Sequence, residues 1–542
     1  MAGAAPRGGN PDAGWSPERS VAGARNPWTI VGVISIATFM TVLDSSIVNV
    51  ALDHIAGAMA VTYDQATWVT TSFLVSTAIV IPISGWLADV IGRKRYYMIS
   101  VALFTIASFL CGAAPNLGAL ILARVLQGAA GGGLAAVEQS MLVDTFPPSK
   151  RGAAFAAYGL VVIVGPIVGP ILGGVITDSA SWRWCFLINV PIGAASLFLV
   201  NAMVDEPAAL LRDRAALLAR GLRLDIIGFI LVALFFGGLE LTLDRGQTDD
   251  WFSSPTIVAT AAIAAAAFVL FIPWELSRDD PVVPIAMFGR RNFAVASVFL
   301  MLTGLILFGT TLFIPQLLQQ VMGYSATDAG LALTAGGLAT IIAMPLVGLL
   351  SSRVDPRLLV FFGFTVQGLA LLNMSHLNAS LSFQAAAMAR MYQAVGLPFL
   401  FVPISMIAYV GLKPSESNQA SAMMNVARNL GGTIGISSVQ TMLAQRTQWH
   451  HARLVEHLDP LNPNYTGALA DAAGRLAGFG QSALDAQNLA LANLARQLSR
   501  QAQMLAYIDA FHTLMIVVFA CIPLLLLMQG PKGAAPPPGA GH

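Results

Sequence analysis

The sequence predicts an all-α integral membrane protein with fourteen transmembrane helices, and three of its features lead to that fold. Of the 542 residues, 56% are hydrophobic and only 11% are charged, whereas an ordinary globular chain carries about 25% charged residues. Apolar runs of about 20 residues, long enough to cross roughly 30 Å of hydrocarbon, recur almost from end to end. Basic residues concentrate in alternate segments between these runs, as the positive-inside rule requires.

The apolar runs define the elements in their order along the chain. We place the fourteen spans at 28–52, 66–89, 96–114, 117–142, 152–177, 184–204, 224–243, 255–274, 293–318, 328–351, 357–376, 382–411, 419–444 and 506–529. The outer loop 445–505 is long and polar, and its part from about Leu469 to Gln503 is rich in Ala, Leu, Gln and Arg, which favours a helix. Long loops are usually functional or disordered, so contact with a partner protein and a flexible linker both stay open.

Charge and cysteine content exclude several classes of protein. With 29 Lys and Arg against 28 Asp and Glu, the formal net charge is +1, so no overall field attracts nucleic acid. Cys111, Cys185 and Cys521 lie in apolar runs without a Cys-x-x-Cys pair or a paired His. We interpret them as small core residues rather than as disulfides or metal ligands.

The distribution of basic residues assigns the orientation. If the chain starts inside, 19 of the 29 basic residues fall in cytoplasmic segments, and the short outer loops hold two. The even number of spans then places both termini in the cytoplasm. The segment 1–27 lacks the apolar core and cleavage site of a signal peptide. We expect 1–27 and 530–542 to be disordered cytoplasmic tails.

An internal repeat divides the chain into two halves. Ala123-Arg124-x-x-Gln127-Gly128 is echoed 266 residues later by Ala389-Arg390-x-x-Gln393-Ala394, and three further landmarks repeat at nearly the same offset. Those landmarks are Pro82 and Pro345, Pro148 and Pro414, and Gly165 and Gly431. The register predicts six-span halves at 28–205 and 293–529, as in parallel-repeat transporters, with a linker of two extra spans at 206–292.

Several motifs resemble those of the major facilitator superfamily. The run 85–95, Gly-Trp-Leu-Ala-Asp-Val-Ile-Gly-Arg-Lys-Arg, is similar to its motif between spans two and three. The run 165–174, Gly-Pro-Ile-Val-Gly-Pro-Ile-Leu-Gly-Gly, resembles the span-five motif of its antiporters. The run 43–52, Leu-Asp-Ser-Ser-Ile-Val-Asn-Val-Ala-Leu, is similar to the signature of fourteen-span drug:proton antiporters. The runs 188–193, 243–246, 251–254, 450–452 and 462–464 look like the EmrB-type subfamily.

This resemblance extends from about Trp28 to Met528 and implies a function. It implies an antiporter that works by alternating access of its two six-helix halves. The EmrB-type subfamily further implies tripartite efflux, with a periplasmic adaptor and an outer-membrane channel as partners. We expect these partners to be contacted through the outer loop and the spans near it.

Asp44 and Arg124 are the foremost candidates for proton coupling, because an ionisable group inside a span needs a partner or water. At 1.5 Å per residue, Asp44 lies about 21 Å along span one and Arg124 lies about 9 Å below the outer surface in span four. In a core of roughly 30 Å the two residues are level. We predict that Asp44 releases and takes up the coupling proton and that Arg124 favours its charged form. The resemblance points to the same two positions, and a permanent structural pair is the alternative.

Two further acids have less certain roles. Glu138 lies fourteen residues after Arg124, near the cytoplasmic end of the same helix, where it accepts the incoming proton or is simply solvated. Asp89 ends span two, where the helix dipole disfavours negative charge, so a basic partner such as Arg93 must hold it. We interpret Asp89 and Arg93, with Arg95 and the motif glycines Gly85 and Gly92, as a gate latch. Charge that only sets the topology is the alternative.

Glycines and two arginines complete the candidate residues. Gly165, Gly169 and Gly173 recur every four residues, so they form a small-residue face that allows close helix approach, and Pro166 and Pro170 add bending. We expect a bending seam, with ordinary tight packing as the alternative. Arg390 and Arg428 need buried acceptors such as carbonyls, amides or an anionic part of a substrate, and a purely structural role is the favoured interpretation.

The motifs that are missing narrow the function. No Walker loop, HExxH, GxSxG elbow or kinase signature appears, so we expect no cofactor, no enzymatic activity and no nucleotide hydrolysis. The sequence predicts proton-coupled efflux of hydrophobic or amphipathic toxic compounds across the inner membrane, and hence antibiotic resistance. The alternatives are a dedicated exporter of one metabolite or weak acid, and a membrane sensor or scaffold that transports nothing.

Overall fold

The computed structural model of the protein describes residues 15–23, 25–219, 225–278, 281–378, 382–459, 461–479 and 482–528, which form long α-helices joined by short connections. We number the long helices α1 Pro27–Met59, α2 Tyr63–Ile91, α3 Arg93–Ala113, α4 Leu117–Thr145, α5 Pro148–Ser179, α6 Trp184–Met203, α7 Ile226–Arg245, α8 Pro255–Leu276, α9 Arg291–Gln316, α10 Ala326–Leu350, α11 Pro356–Met374, α12 Phe383–Ala408, α13 Ser417–Val455 and α14 Ala483–Cys521. Shorter helices lie at Pro17–Arg19, Ala208–Ala219, Trp251–Ser253, Ile285–Gly289, Pro414–Glu416, Pro463–Gly478 and Ile522–Leu527, and a π-helical turn at Leu317–Val321 follows α9.

The predicted all-helical membrane fold is confirmed. Within the described ranges, 13 helices are long and apolar enough to cross a membrane by length and composition. The remaining long helix, α13, coincides with the predicted span 419–444 and is more polar, with Asn, Gln, Ser, Thr and Arg along its length. It packs against α2, α9 and α14, so neighbouring helices cover its polar side chains.

Local signals set the helix boundaries. Thr62 and Gln65 form a reciprocal capping box that starts α2, which satisfies two backbone N–H groups at that terminus. Gly92 separates α2 from α3 with a φ of +97°, a conformation that glycine adopts without steric penalty. Gly132 and Gly133 interrupt the hydrogen-bonding pattern of α4, as expected of residues with weak helix propensity.

The helix ends define two faces of the bundle. We call the end where α1 begins, at Pro27, the tail face, and the opposite end, where α13 leaves the bundle, the loop face. The helices of the two predicted halves meet where α2 packs on α13 and where α5 packs on α10. Helix α7, from the predicted linker, packs on α2 and α13. Its loop-face end is fixed to α2, because Arg245 Nη1 donates to Thr67 Oγ1 at 2.9 Å.

The predicted outer loop 445–505 is mostly helical. Helices α13 and α14 have 39 residues each, about 58 Å at 1.5 Å per residue, so both extend past a hydrocarbon core of roughly 30 Å. Pro463–Gly478 forms a further helix between them. His450 Nε2 lies 2.9 Å from Asp509 Oδ2 and joins the two extensions. The structure thus has the expected helix in this segment in place of a flexible linker.

The expected disorder of 1–27 is wrong for its described part. Trp15 Nε1 donates to the backbone oxygen of Asp144 at 3.1 Å, and Val21 is buried against the tail face. These apolar contacts order the segment, because they remove its hydrophobic side chains from water. Residues 1–14 and the predicted tail 530–542 lie outside the described residues.

Candidate functional site

Asp44 lies inside the bundle, midway along α1, and is fully buried. Arg124 Nη1 donates to Asp44 Oδ2 at 2.6 Å. Gln127 Nε2 and Asn189 Nδ2 donate to the other carboxylate oxygen at 2.9 and 2.7 Å. Charge-assisted hydrogen bonds of this kind are short and strong. Three donors from α4 and α6 therefore compensate the negative charge of Asp44 away from water.

Arg124 is held on several sides besides its pair with Asp44. Its Nε donates to the backbone oxygen of Val69 at 3.0 Å, and its Nη1 also donates to Gln127 Oε1 at 2.7 Å. The guanidinium carbon lies 4.1 Å from the centroid of the Phe73 ring, a favourable cation–π contact. The guanidinium thus keeps contacts that do not depend on the charge of Asp44.

The structure brings Asp44 and Arg124 to one level, as the depth argument predicts, but sequence reasoning missed their amide partners. Gln127 belongs to the repeated Ala-Arg-x-x-Gln pattern, and Asn189 lies in the run 188–193, so both carried a signal. Ser108 accepts a hydrogen bond from Gln127 Nε2 at 2.6 Å. A lone serine in an apolar span carries no comparable signal.

The second half repeats the Arg–Gln arrangement around a hydroxyl in place of an acid. Gln393 accepts a short hydrogen bond from Arg390, as Gln127 does from Arg124. Gln393 Nε2 donates to Thr310 Oγ1 at 2.6 Å. Thr310 lies 266 residues after Asp44, which is the offset of the repeat, so it occupies the position that corresponds to the acid.

Arg428 also meets an amide. Its Nη2 donates to Asn425 Oδ1 at 2.6 Å, and Asn425 Nδ2 donates to Gln139 Oε1 on α4 at 3.0 Å. Amide acceptors for Arg390 and Arg428 are among those that the sequence led us to expect. The contact between Asn425 and Gln139 links the two predicted halves.

Glu138 is fully buried, so the interpretation as a solvated helix-end residue is wrong. Thr38 Oγ1 donates to Glu138 Oε2 at 2.5 Å and lies 3.1 Å from the Tyr158 hydroxyl. The physical reason is that α4 runs through the middle of the bundle, where α1 and α5 cover its last two turns. Thr38 lies six residues before Asp44 on α1, about 9 Å toward the tail face.

The gate motif lies where α2 and α3 meet α13 at the tail face. Asp89 accepts a short hydrogen bond from Asn418 Nδ2. Arg93 forms an ion pair with Asp144 and donates to Ser417 Oγ at 3.0 Å. Among the described residues, the ion pair of Arg93 is thus with Asp144, and the hydrogen bond to Asp89 comes from Asn418. Gly92 turns the chain between them, so Arg93 starts a new helix beside the end of α4.

Gly85 and Arg95, which also belong to the gate motif, have different surroundings. A Cβ at Gly85 would lie 2.8 Å from Gln419 Cα, so the backbones of α2 and α13 are in contact there. A side chain at Gly85 would push the two helices apart. Arg95 is exposed and does not take part in the contact with α13.

The glycine face of α5 packs on α1 beside Asp44. A Cβ at Gly165 would lie 2.7 Å from Val42 Cγ1, and one at Gly169 would overlap Ser46 Oγ. Gly173 faces Ile47 in the same way, while Pro166 and Pro170 lie inside the helix. The close approach that the spacing predicts is therefore present, and it places α5 against the turn of α1 that carries the acid.

Comparisons with known proteins agree with this architecture. The family described as the Major Facilitator Superfamily matches residues 34–436. Among solved structures, the proton:xylose symporter XylE of that superfamily gives a TM-score of 0.59, with 13% sequence identity, over 93% of this chain and 96% of its own. At that identity the likeness concerns the fold alone.

Two curated relatives match the chain over nearly its whole length. The multidrug export protein EmrB of Escherichia coli (strain K12) is 37% identical over 510 residues, which cover 94% of this chain and 96% of the relative. The fatty acid resistance protein FarB of Neisseria gonorrhoeae is 33% identical over 521 residues, which cover 96% of this chain and 99% of the relative.

Proposed function

The chain belongs to the major facilitator superfamily, and from that premise we propose that it exports hydrophobic and amphipathic toxic compounds in exchange for protons. The EmrB relative is a multidrug export protein, which supports drug efflux. The single observation that carries the proton coupling is the buried Asp44 with its three donors from α4 and α6. A buried ion pair whose acid can be neutralised has two states, as a coupling step requires.

In this proposal, Asp44 binds the incoming proton and thereby releases its charge-assisted contact with Arg124. Arg124 stays in place through Val69 and Phe73, so α1 alone loses a restraint. The glycine face of α5 lies against that turn of α1, so a movement of α1 also moves α5. Helix α5 in turn contacts α10 of the second half. Glu138 then accepts the proton through Thr38 on its way to the tail face.

We assign the tail face to the cytoplasm, because most basic residues lie in the segments that end there. Asn418 and Ser417 on α13 hold Asp89 and Arg93 at that face, and Asn425 meets Gln139 deeper in the bundle. These contacts close the tail face between α2, α4 and α13. Opening toward the cytoplasm requires that they break, and this is the alternating step.

The extensions of α13 and α14 support a partner on the outer side. They project past the membrane together with Pro463–Gly478 and expose apolar side chains where the helices turn: Leu461 is 88% exposed and Phe479 is 85% exposed. From these exposed apolar groups on projecting helices we infer a protein contact at this end. A periplasmic adaptor, itself joined to an outer-membrane channel, is the partner that we assign to them in a bacterial inner membrane.

The test is substrate-induced proton release from inverted membrane vesicles with an acidified interior. We would compare the native protein with Asp44→Asn, and use Asp53→Asn as the matched control, because Asp53 is an exposed acid on the same helix. Release by several unrelated compounds, lost in Asp44→Asn and kept in Asp53→Asn, is the expected result. Release by one compound or by weak acids alone would favour a dedicated exporter; the FarB relative is named a fatty acid resistance protein. No release by a folded protein would favour a sensor or scaffold.

A further inference from the structure

The segment that precedes α1 lies across the tail face of the first half. At one end, Trp15 Nε1 donates to the backbone oxygen of Asp144 at the end of α4. At the other end, the backbone N–H of Asp205, just after α6, donates to the Val21 oxygen at 2.9 Å. Val21 is only 2% exposed, so its burial removes apolar surface from water and fixes the segment in place. We call residues 15–23 the N-terminal strap.

The strap brings an arginine to the acid that holds the gate arginine. Arg19 Nε lies 3.9 Å from Asp144 Oδ1, and Arg93 forms its ion pair with the other oxygen of the same carboxylate. The side chain of Asp144 is 3% exposed and that of Arg19 is 17% exposed. One carboxylate thus lies between two guanidinium groups, where little water screens its interaction with either of them.

A second acid balances the charge of Arg19. The Nη2 atom of Arg19 lies 2.9 Å from Asp213 Oδ2, on the short helix Ala208–Ala219 of the linker. That helix is fixed to the end of α2, because Arg214 Nε donates to the backbone oxygen of Val90 at 2.8 Å. From the linker to the gate, the ionised groups alternate in sign in the order Asp213, Arg19, Asp144 and Arg93.

We propose that the N-terminal strap positions Asp144, so that Arg93 points toward α13 and the tail face stays closed. Arg93 donates to Ser417 Oγ on α13 at 3.0 Å, and this hydrogen bond crosses between the two halves. The strap holds Asp144 in two ways, by its carboxylate through Arg19 and by its backbone oxygen through Trp15. Both strap residues act on the gate through Asp144 and are therefore positioning residues.

Loss of the strap contacts should favour the open tail face. Without Arg19 and the indole N–H, the end of α4 has fewer restraints, and Asp144 is free to turn away from α13 together with Arg93. The hydrogen bond to Ser417 then costs more side-chain entropy to form, so the closed state is less stable relative to the open one. The inference rests on the proposed alternating step at the tail face and adds to it a segment of the chain that controls that step.

The experiment uses Ser140→Cys in inverted membrane vesicles, after the three native cysteines are replaced, and measures its labelling rate with a maleimide that does not cross membranes. Ser140 is fully buried on α4 and contacts Asn418 of the other half, so labelling reports opening of the tail face. We expect Arg19→Gln to raise the rate about threefold or more, as a partly exposed ion pair allows, and Arg19→Lys to restore the native rate. Arg353→Gln is the matched control and should leave the rate unchanged, because Arg353 is an exposed arginine in the turn between α10 and α11. A native rate in Arg19→Gln overturns the proposal.

A double-mutant cycle with Asp144→Asn tests whether Arg19 acts through Asp144. Asp144→Asn alone should raise the labelling rate, and Arg19→Gln should add no further increase in that background. An equal increase by Arg19→Gln in both backgrounds would place its effect elsewhere and overturn the proposal. Trp15→Phe keeps an aromatic ring but loses the N–H donor, and it decides the question if Arg19→Gln does not fold: a raised rate supports the strap, and a native rate overturns it.

Proton release by the same vesicles separates this inference from the proposed function. A native protein that releases no protons in response to any compound would contradict the proposed export. The labelling rates of native protein and Arg19→Gln are compared without any substrate, so their difference decides on the strap alone.

Discussion

Gln393 donates a hydrogen bond to Thr310 at 2.6 Å, at the position where the first half of the chain holds an aspartate. Arg390 binds Gln393 from the other side, as Arg124 binds Gln127. The two halves thus share one polar framework, and the titratable group is present in the first of them. The roles of the two glutamines should differ accordingly.

Gln127→Leu should lower substrate-induced proton release about tenfold or more, because hydrogen bonds to charged groups contribute about 1.5–3 kcal/mol. Gln393→Leu is the matched variant and should leave proton release close to native while it lowers Tm, since it removes a network that contains Arg390 but no acid. Vesicle assays with an acidified interior, together with thermal melts, measure both effects. Equal losses of proton release in the two variants would mean that both halves take part in coupling.

Gly169→Ala should destabilise the protein by about 1–3 kcal/mol, the usual range for overpacking, and slow transport, because its Cβ would overlap Ser46 Oγ. Gly174→Ala on the same helix meets nothing within 4 Å and should be neutral or slightly stabilising. Melting temperatures and transport rates of the two variants check this. A neutral Gly169→Ala would show that α5 and α1 do not need their close contact.

Asn418→Asp should open the tail face, since it places a second carboxylate where the amide now donates to Asp89. The measurement is labelling of a cysteine introduced at Ser140, which contacts Asn418, by a maleimide that does not cross membranes. Cys111, Cys185 and Cys521, which are free, are replaced first. Faster labelling is expected.

The control for this prediction is Asn373→Asp, the same substitution at an exposed position near the C-terminal end of α11. It should leave the labelling rate of the cysteine at position 140 unchanged. A similar rate in both variants would argue that the contact of Asn418 with Asp89 does not hold the face closed.

The contact between Arg290 and Glu416, outside the spans, should make stability depend on pH. Partial burial alone would raise the pKa of Glu416, but hydrogen bonds from Arg290 at 2.7 and 2.8 Å and from the Lys413 backbone N–H lower the pKa overall. A lowered folded-state pKa gives stability that is present above the usual value of about 4.3 and is lost as the pH falls through the lowered pKa.

Melts at about pH 7 and below about pH 4 of the native protein and of Glu416→Gln measure this contribution. At the higher pH the native protein should be more stable than Glu416→Gln by at most about 1 kcal/mol, because the pair is partly exposed. This difference between the two proteins should disappear at the lower pH. Glu456→Gln, at an exposed acid, is the control. An advantage that persists at low pH would contradict the assignment.

Leu461→Ser and Phe479→Ser should reduce drug resistance of cells but leave proton exchange in vesicles unchanged. Both side chains are exposed at the turns between the outer helices, far from Asp44, so their loss affects only a partner. Growth in the presence of drug and vesicle assays are compared for the same variants. Loss of proton exchange in vesicles would instead place these residues in the transport cycle.

Much of this structure follows from the sequence because helix geometry is regular. The rise of 1.5 Å per residue places Asp44 and Arg124 at one level from residue numbers alone. It does not give the partner of Arg93, because Asp144 lies on another helix and only the packing of α3 against α4 brings the two together. Glu138 shows the same limit, since distance from a helix end says nothing about what covers it.

The helix expected within the outer loop is present, but hydropathy did not show how far the flanking spans extend. A span is recognised by its apolar residues, and α13 and α14 become polar where they leave the membrane without ceasing to be helical. Composition near Leu469 did favour a helix, but nothing in it showed that two spans continue straight into the segment.

The rod-like continuation of α13 and α14 converts a small tilt into a large displacement. About 28 Å of each helix stands beyond the hydrocarbon core, so a rotation of about 10° within the bundle would move the far tip sideways by about 5 Å over that length. A protein seated on the tip would therefore be displaced whenever the bundle rotates at the base of these helices. Communication along this protein therefore needs only the stiffness of two helices.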